Sequence, residues 1–163
     1  MARRPSTRTA PSGSAYEAAV RYLAGRSHSV AEIRRHLRGK RFDDAAIDGA
    51  IDKLRAQRYV DDAAFARYWI EQRDQFRPRG DRALVTELLR KGVARETIEV
   101  ALGDRPADAE VQRARQAIAR PITRWQTLEP AERKRKIHAF LVARGFDYEV
   151  IEEVLARPEA DPG

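Results

Sequence analysis

The side chains in this chain best placed to do chemistry are cationic, and the chemistry they suit is recognition of anions. Arg34, Arg38 and Arg41 follow i, i+4, i+7, so on a helix they stand in one stripe. Such a stripe beside an apolar face either tracks a phosphate backbone or is an ordinary solvated helix face. Arg77-Pro78-Arg79-Gly80 holds two arginines beside loop-forming residues. Loop arginines of this kind meet phosphate or carboxylate, or simply keep a linker soluble. Arg133-Lys134-Arg135-Lys136 is denser but less directional, because four successive residues point all round a helix. Glu129, Glu132, Glu149, Glu152 and Glu153 also lie near it in sequence. Arg133 and Lys134 are therefore secondary candidates.

Nothing comparable points to catalysis. No glycine-rich loop ends in the lysine of a phosphate-binding turn. His28, His36 and His138 are scattered, with no carboxylate or second histidine at ligand spacing on a clear face. The chain has no cysteine, which excludes disulfides and thiolate metal sites and suits a reducing cytosol. Acidic pairs such as Asp61-Asp62 stand where helices begin and read as structural. Trp69 lies in an apolar segment with Phe65 and Ile70, a setting that favours core or partner contact over base stacking; Trp125 is the other tryptophan. The expectation is a binding protein, not an enzyme, with no catalytic residue, cofactor or metal site.

The elements that must position these arginines come from a block that occurs three times, anchored on Arg41, Gly92 and Gly145. Eight residues earlier sit Ile33, Leu84 and Ile137, and four earlier sit Leu37, Leu88 and Leu141. One residue later come Phe42, Val93 and Phe146, six later Ile47, Ile98 and Ile151, and ten later Ile51, Leu102 and Leu155. The anchors are 51 and 53 residues apart, with no gap inside the block. Self-similarity at such a period is the signature of stacked supersecondary units. The offsets before the anchor describe a helix that ends there, and those after it one face of a second helix. Gly92 and Gly145 can take the left-handed conformation that ends a helix. Arg41 is the exception, so the first turn is expected to close differently, with Gly39. Asp43 and Asp147 are good N-caps and Ala94 a poor one, while Ser29-Val30-Ala31-Glu32 has the capping-box form. A further amphipathic helix precedes each pair, over Ala15–Gly25, Asp62–Phe76 and Asp108–Arg120. This predicts an all-α chain of three tandem three-helix, helix-turn-helix-like repeats, nine helices in all. The expected segments are a disordered basic tail over 1–14, modules over 15–58, 59–106 and 107–157, and a disordered end over 158–163.

Composition agrees with small helical modules. Charged residues make up 35% and aromatic residues 7% of the 163, so each core must be built mainly of Leu, Ile, Val and Ala, and modules this small bury a modest fraction of their surface. No apolar run approaches the ~18 residues of a membrane helix. The net charge of +7 is unevenly placed: it lies entirely in the first 58 residues, with +3 in the tail and +4 in residues 15–58.

Three separate motifs then carry a resemblance. Tyr59-Val60-Asp61-Asp62-Ala63-Ala64-Phe65-Ala66 leads to Trp69, Arg73 and Arg79-Gly80, and these to Leu84, Leu88 and Lys91-Gly92-Val93. Ala143-Arg144-Gly145-Phe146-Asp147-Tyr148 with Ile151 completes the set near the C-terminus. In this order the motifs closely resemble the RecX regulatory proteins, from about Ala15 to Leu155. Pro121, which interrupts the first helix of the third module, Arg41 in place of a turn glycine, and the basic tail depart from the pattern.

The resemblance implies an elongated, curved array that lies in the groove of the RecA–single-stranded DNA filament. It also implies inhibition of RecA's ATPase, strand-exchange and co-protease activities, through the groove or by blocking filament growth. A cytoplasmic monomer without cofactor or membrane is expected, with RecA as partner and single-stranded DNA met directly or through the filament. Arg73 and Lys91, which stand in the matching motifs, join Arg34, Arg38, Arg41, Arg77 and Arg79 as candidate DNA- or filament-binding residues. The competing reading is a stand-alone nucleic-acid-binding protein built of tri-helical modules; a scaffold for other proteins is a third.

Overall fold

The computed structural model describes residues 13–106 and 108–157. The described residues are helical throughout, without a strand. Their helices are α1 Ala15–Leu23, α2 Val30–Gly39, α3 Asp44–Ala56, α4 Asp62–Phe76 and α5 Asp81–Arg90. They continue as α6 Arg95–Gly103, α7 Ala109–Ile118, α8 Ile122–Trp125, α9 Pro130–Ala143 and α10 Tyr148–Ala156. The described count is thus ten and not nine, and Pro121 is the reason. The helix expected over Asp108–Arg120 stops at Ile118, and a single turn, α8, follows the proline. Proline cannot donate to the ladder and its ring crowds the preceding turn. Both terminal segments expected to be disordered lie outside the described residues except for Gly13 and Ser14. Ser14 belongs to the fold, since its side chain caps α1 in a reciprocal capping box with Glu17.

The chain divides into two compact units, Met1–Phe65 and Ala66–Gly163. In the first, α1, α2 and α3 pack on one another around Ile33, Leu37, Ile47, Ile51 and Leu54, all fully buried. In the second, α5 packs on α6, while α7, α9 and α10 pack together with α8 against α9. The α7–α9–α10 core holds Val111, Ile118, Ile137, Leu141, Phe146, Ile151 and Val154. The repeat offsets correspond to equivalent burial: Ile33, Leu84 and Ile137 are at most 1% exposed, as are Leu37, Leu88 and Leu141, and Ile47, Ile98 and Ile151. Ten residues past the anchor the equivalence weakens, because Ile51 is buried whereas Leu102 and Leu155 are half-buried.

One turn ends α2, α5 and α9 alike, and α3 closes the same way at Arg58, with φ +58°, Arg58 N–H to Arg55 at 2.9 Å and Tyr59 N–H to Leu54 at 2.9 Å. At Gly92, φ is +78°, its N–H donates to the Leu89 carbonyl at 2.9 Å, and Val93 N–H donates to Leu88 at 3.1 Å. Gly145 repeats this with φ +79°, Gly145 N–H to Val142 at 3.0 Å and Phe146 N–H to Leu141 at 3.2 Å. Arg41 does the same, with φ +67°, Arg41 N–H to Arg38 at 2.9 Å and Phe42 N–H to Leu37 at 3.3 Å. These are Schellman closures, with the apolar residue after the turn folded back on the helix it ends. The expectation that the first turn closes through Gly39 is therefore corrected: α2 runs through Gly39, and Arg41 itself takes the left-handed conformation, at ~1–2 kcal/mol for a residue with a Cβ.

The start of each middle helix has a different solution. Ser29 caps α2 in the expected box with Glu32, and Val30 N–H donates to Asp62 Oδ1 at 2.9 Å. Gly80 has no side chain with which to cap α5, and Asp81 N–H donates instead to Glu110 Oε1 of α7 at 2.9 Å. In each case a carboxylate from the first helix of the following module takes an amide at the start of the preceding module's second helix. Asp43 caps α3 through Ala46 N–H at 2.7 Å. Asp147 precedes α10 without a side-chain cap bond, and its carboxylate faces Arg82 Nε at 3.6 Å instead.

Leu88→Ala tests the repeat directly. Complete burial of Leu88 predicts a loss of ~2–5 kcal/mol in chemical denaturation, whereas Arg90→Ala on the exposed face of the same helix should leave stability nearly unchanged. Equal midpoints for the two variants would contradict the equivalence of the modules.

Candidate functional site

The candidate arginines fall into separate groups. In the first unit, Arg34 and Arg38 project from α2 toward acids on α3. Arg34 Nη1 lies 2.5 Å from Asp48 Oδ1, and Arg38 donates through Nε and Nη2 to Asp44 Oδ1, each at 3.2 Å. Asp44 and Asp48 stand one helical turn apart, as Arg34 and Arg38 do, so the two helices offer matching rows of opposite charge. Arg41 is exposed at the turn itself. The histidines of this unit, which look scattered in sequence, bracket one ring: His28 and His36 stack on Tyr22 at 3.8 and 3.9 Å between centroids. Burial, and secondarily Lys40, hold His36 below its ordinary value. No group of metal-ligating side chains occurs among the described residues.

In the second unit, Arg73, Arg79 and Lys91 converge on Glu87 and Trp69. The Trp69 indole Nε1–H donates to Glu87 Oε2 at 2.9 Å, and Arg73 Nε–H donates to the same oxygen at 2.7 Å. Arg79 Nε stands 3.9 Å from the other oxygen, Oε1. The guanidinium of Arg73 lies 4.5 Å from the centre of the Trp69 ring and Lys91 Nζ 4.2 Å from it. Geometry explains the convergence: Trp69 and Arg73 are one turn apart on α4, and Glu87 and Lys91 one turn apart on α5. Arg73 and Arg79 share the Glu87 carboxylate, two positive charges on one negative, and the indole is held by a polar bond and cation–π contacts. Trp69 is half-buried there. Glu87, at the centre, carried no special signal in the sequence; its spacing to Lys91 is the only trace of the role.

The loop Arg77–Gly80 is held by its glycine. Gly80 N–H donates to the Arg144 carbonyl at 3.1 Å, and a Cβ placed on Gly80 would lie 2.1 Å from the Gly145 carbonyl oxygen. Gly145 is equally constrained, since a Cβ there would meet that of Ala83 at 2.6 Å. The contact is backbone on backbone, which only glycine permits. It sets Arg79 beside Arg144, whose guanidinium covers the Phe140 ring at 3.7 Å. Burial, then the charge of Arg79, push Arg144 below its ordinary value. Arg133 and Lys134 lie in the first turns of α9 and form no ion pair with another described residue.

Beside these surfaces lies a half-buried ionic network around the buried Arg113. Asp81 Oδ1 accepts from Arg105 Nη2 at 2.7 Å and from Arg113 Nη2. Arg113 is 4% exposed, and its Nη1 stands 3.5 Å from Asp74 Oδ1, with Arg105 Nη1 3.9 Å from Asp74 Oδ2. Burial raises the Asp74 carboxyl to about 6, opposed by Arg105 and reinforced by Asp81 and Glu71. Burial also raises Glu110, the acid that caps α5. Sequence inspection missed this network because its members are distributed over residues 74, 81, 105, 110 and 113.

Successive three-helix units define a class: a tandem helical repeat protein. Comparison places it within that class. Residues 15–54, 61–102 and 108–155 match the first, second and third three-helix domains of RecX. The chain belongs to the RecX family. It is similar to the regulatory protein RecX of Chlorobium phaeobacteroides, at 32% identity over 86% of this chain and 91% of the relative. Similarity to that of Geobacillus kaustophilus is 36% over 87% of this chain. Here the chain spans about half of the relative, 53% of its length. A crystal structure of RecX from Lactobacillus salivarius shares the fold, with a TM-score of 0.79 at 21% identity, over 87% of this chain and 92% of that one. The relatives are named as regulatory proteins, and no helix among the described residues is long and apolar enough to cross a membrane.

The network yields a pH prediction. The folded state holds the Asp74 proton up to about pH 6, whereas the unfolded chain releases it near the ordinary 3.8. Stability from this group therefore rises as pH falls through that window and is lost as pH climbs past the folded value. Relative to Asp74→Asn, the wild-type melting temperature should increase between pH ~6.5 and ~4.5. A difference between the two proteins that stays flat over that range would rule the assignment out.

Proposed function

We propose that this chain binds the RecA recombinase on its single-stranded DNA filament and restrains it. It acts as a cytoplasmic, non-enzymatic monomer that inhibits ATPase, strand-exchange and co-protease activities by occupying the filament groove or blocking growth. The observation that carries the reading is the succession of three RecX three-helix domains along one chain. A filament repeats its surface, so a repeating binder can make similar contacts with successive subunits. Candidate contacts are Arg34, Arg38 and Arg41 in the first module and Arg73, Arg77, Arg79 and Lys91 in the second, with Arg133 and Lys134 secondary. The net-positive cluster at Trp69 supports contact with phosphate or carboxylate there.

The test is the DNA-dependent ATPase of the cognate RecA. Suppression should set in well below the concentration that coats the DNA, because a groove binder or end-capper acts on assembled polymer. A protein that merely competes for single strands must occupy most sites first. Inhibition seen only at DNA-saturating amounts, and fully relieved by excess single strand, would favour the stand-alone nucleic-acid binder.

The arginine stripe gives a second prediction. Arg34→Glu with Arg38→Glu should weaken filament binding and lower the log–log salt slope by ~0.7 for each single-strand phosphate that is no longer neutralised. Asp44→Asn with Asp48→Asn should do the reverse at low salt, because it releases the arginines from their partners. Exposed pairs of this kind contribute only ~0–1 kcal/mol to folding, so both proteins remain folded. Affinities that do not move in opposite directions would return the stripe to an ordinary charged face.

A further inference from the structure

Near the C-terminal end of α4, a cleft of about 720 Å³ is lined by Arg77, Arg79, Arg120, Arg124 and Arg144. No carboxylate lines it. Three chain segments bring the five guanidiniums together: the Arg77–Gly80 loop, the break around Pro121, and the turn that ends α9. The Gly80–Gly145 contact fixes the first against the third, and Pro121 ends α7 so that Arg120 and Arg124 stand on either side of the break. Among the described residues Arg77, Arg120 and Arg124 have no ion-pair partner, and Arg79 has only Glu87 at 3.9 Å. Like charges gathered in a concavity repel one another and focus a positive potential. An anion would relieve that repulsion. Phe76, also in the lining, is 73% exposed, which leaves an aromatic face available at the rim.

We infer that this cleft is a subsite for single-stranded nucleic acid, in which guanidiniums from the Arg77–Gly80 loop, the Pro121 break and the α9 turn hold successive phosphodiesters while a base stacks on Phe76. Planar guanidiniums match phosphate oxygens bidentately. An aromatic beside a basic groove is how sequence-tolerant single-strand binding is built, because every base has a π-face. A duplex keeps its bases stacked on one another and away from Phe76, so the site favours an unpaired strand. The biological source of the strand rests on the regulatory reading above; the site itself does not.

The experiment measures binding of a fluorescein-labelled oligothymidylate by anisotropy across a salt series, without RecA. Arg120→Glu with Arg124→Glu should weaken binding and lower the log–log slope by ~1.4, the value for two single-strand phosphates. The neutral pair Arg120→Gln/Arg124→Gln should do so in the same direction. Phe76→Ala should weaken binding by about fivefold to 150-fold, the range expected for one stacked base, with the slope unchanged. Arg90→Glu, outside the cleft, controls for net charge. Slopes and affinities of the cleft variants equal to that control, with melting curves intact, would overturn the assignment. So would loss of poly-glutamate binding with oligonucleotide binding retained, which would mark the cleft as a site for acidic peptide. Failure of the wild-type chain to inhibit RecA would refute the regulatory reading and leave the oligonucleotide result standing.

Discussion

Everything placed by this fold depends on one left-handed turn. Each time α2, α5 or α9 ends, the backbone enters positive φ at Arg41, Gly92 or Gly145 and returns two amides to the helix just left. That closure folds Phe42, Val93 or Phe146 back toward Leu37, Leu88 or Leu141 and fixes the direction of the following helix. Two of the three turns use glycine. The third accepts the conformational cost in an arginine, which puts a cation at the tip of the first module. At Gly145 the turn does more, because its bare backbone receives Gly80 and the arginine loop that Gly80 carries.

Within each unit, one helix start that lacks a complete cap of its own is served by a carboxylate from later in the chain. Asp62 and Glu110, each from the first helix of the following module, accept amides at the starts of α2 and α5. A helix N-terminus carries unpaired donors and partial positive charge, so a carboxylate there satisfies both at once. The Asp61-Asp62 pair shows the division of labour: Asp61 accepts from Ala63 N–H at 2.8 Å at the start of its own helix, while Asp62 serves α2, two helices earlier. Around Asp81 the same logic extends into the network with Arg105, Arg113 and Asp74, where burial raises the Asp74 carboxyl to about 6.

Surface charge is organised by these constraints and does not follow density in the sequence. The run Arg133–Lys136 is the densest basic stretch, yet it forms no ion pair with another described residue. Arginines that are isolated in sequence, Arg120, Arg124 and Arg144, meet Arg77 and Arg79 in one cleft. Arg34 and Arg38, aligned on one face, are matched by Asp48 and Asp44 across the helix pair.

From the sequence alone, the three modules, their all-helical character and their core positions could be read, because burial at i, i+4 spacing repeats with a period that survives intervals of 51 and 53 residues. The RecX resemblance was equally legible, carried by motifs in order. What required tertiary structure was every contact between residues far apart in the chain. Glu87 became a hub only when α4 and α5 lay side by side. Gly80 gained its meaning from a backbone approach that no composition or period encodes. The fate of Arg41 also lay beyond reach, because a non-glycine residue takes positive φ only when the surrounding packing outweighs its local cost. Local periodicity determined what the helices are and which face each buries; long-range proximity decided which charges meet.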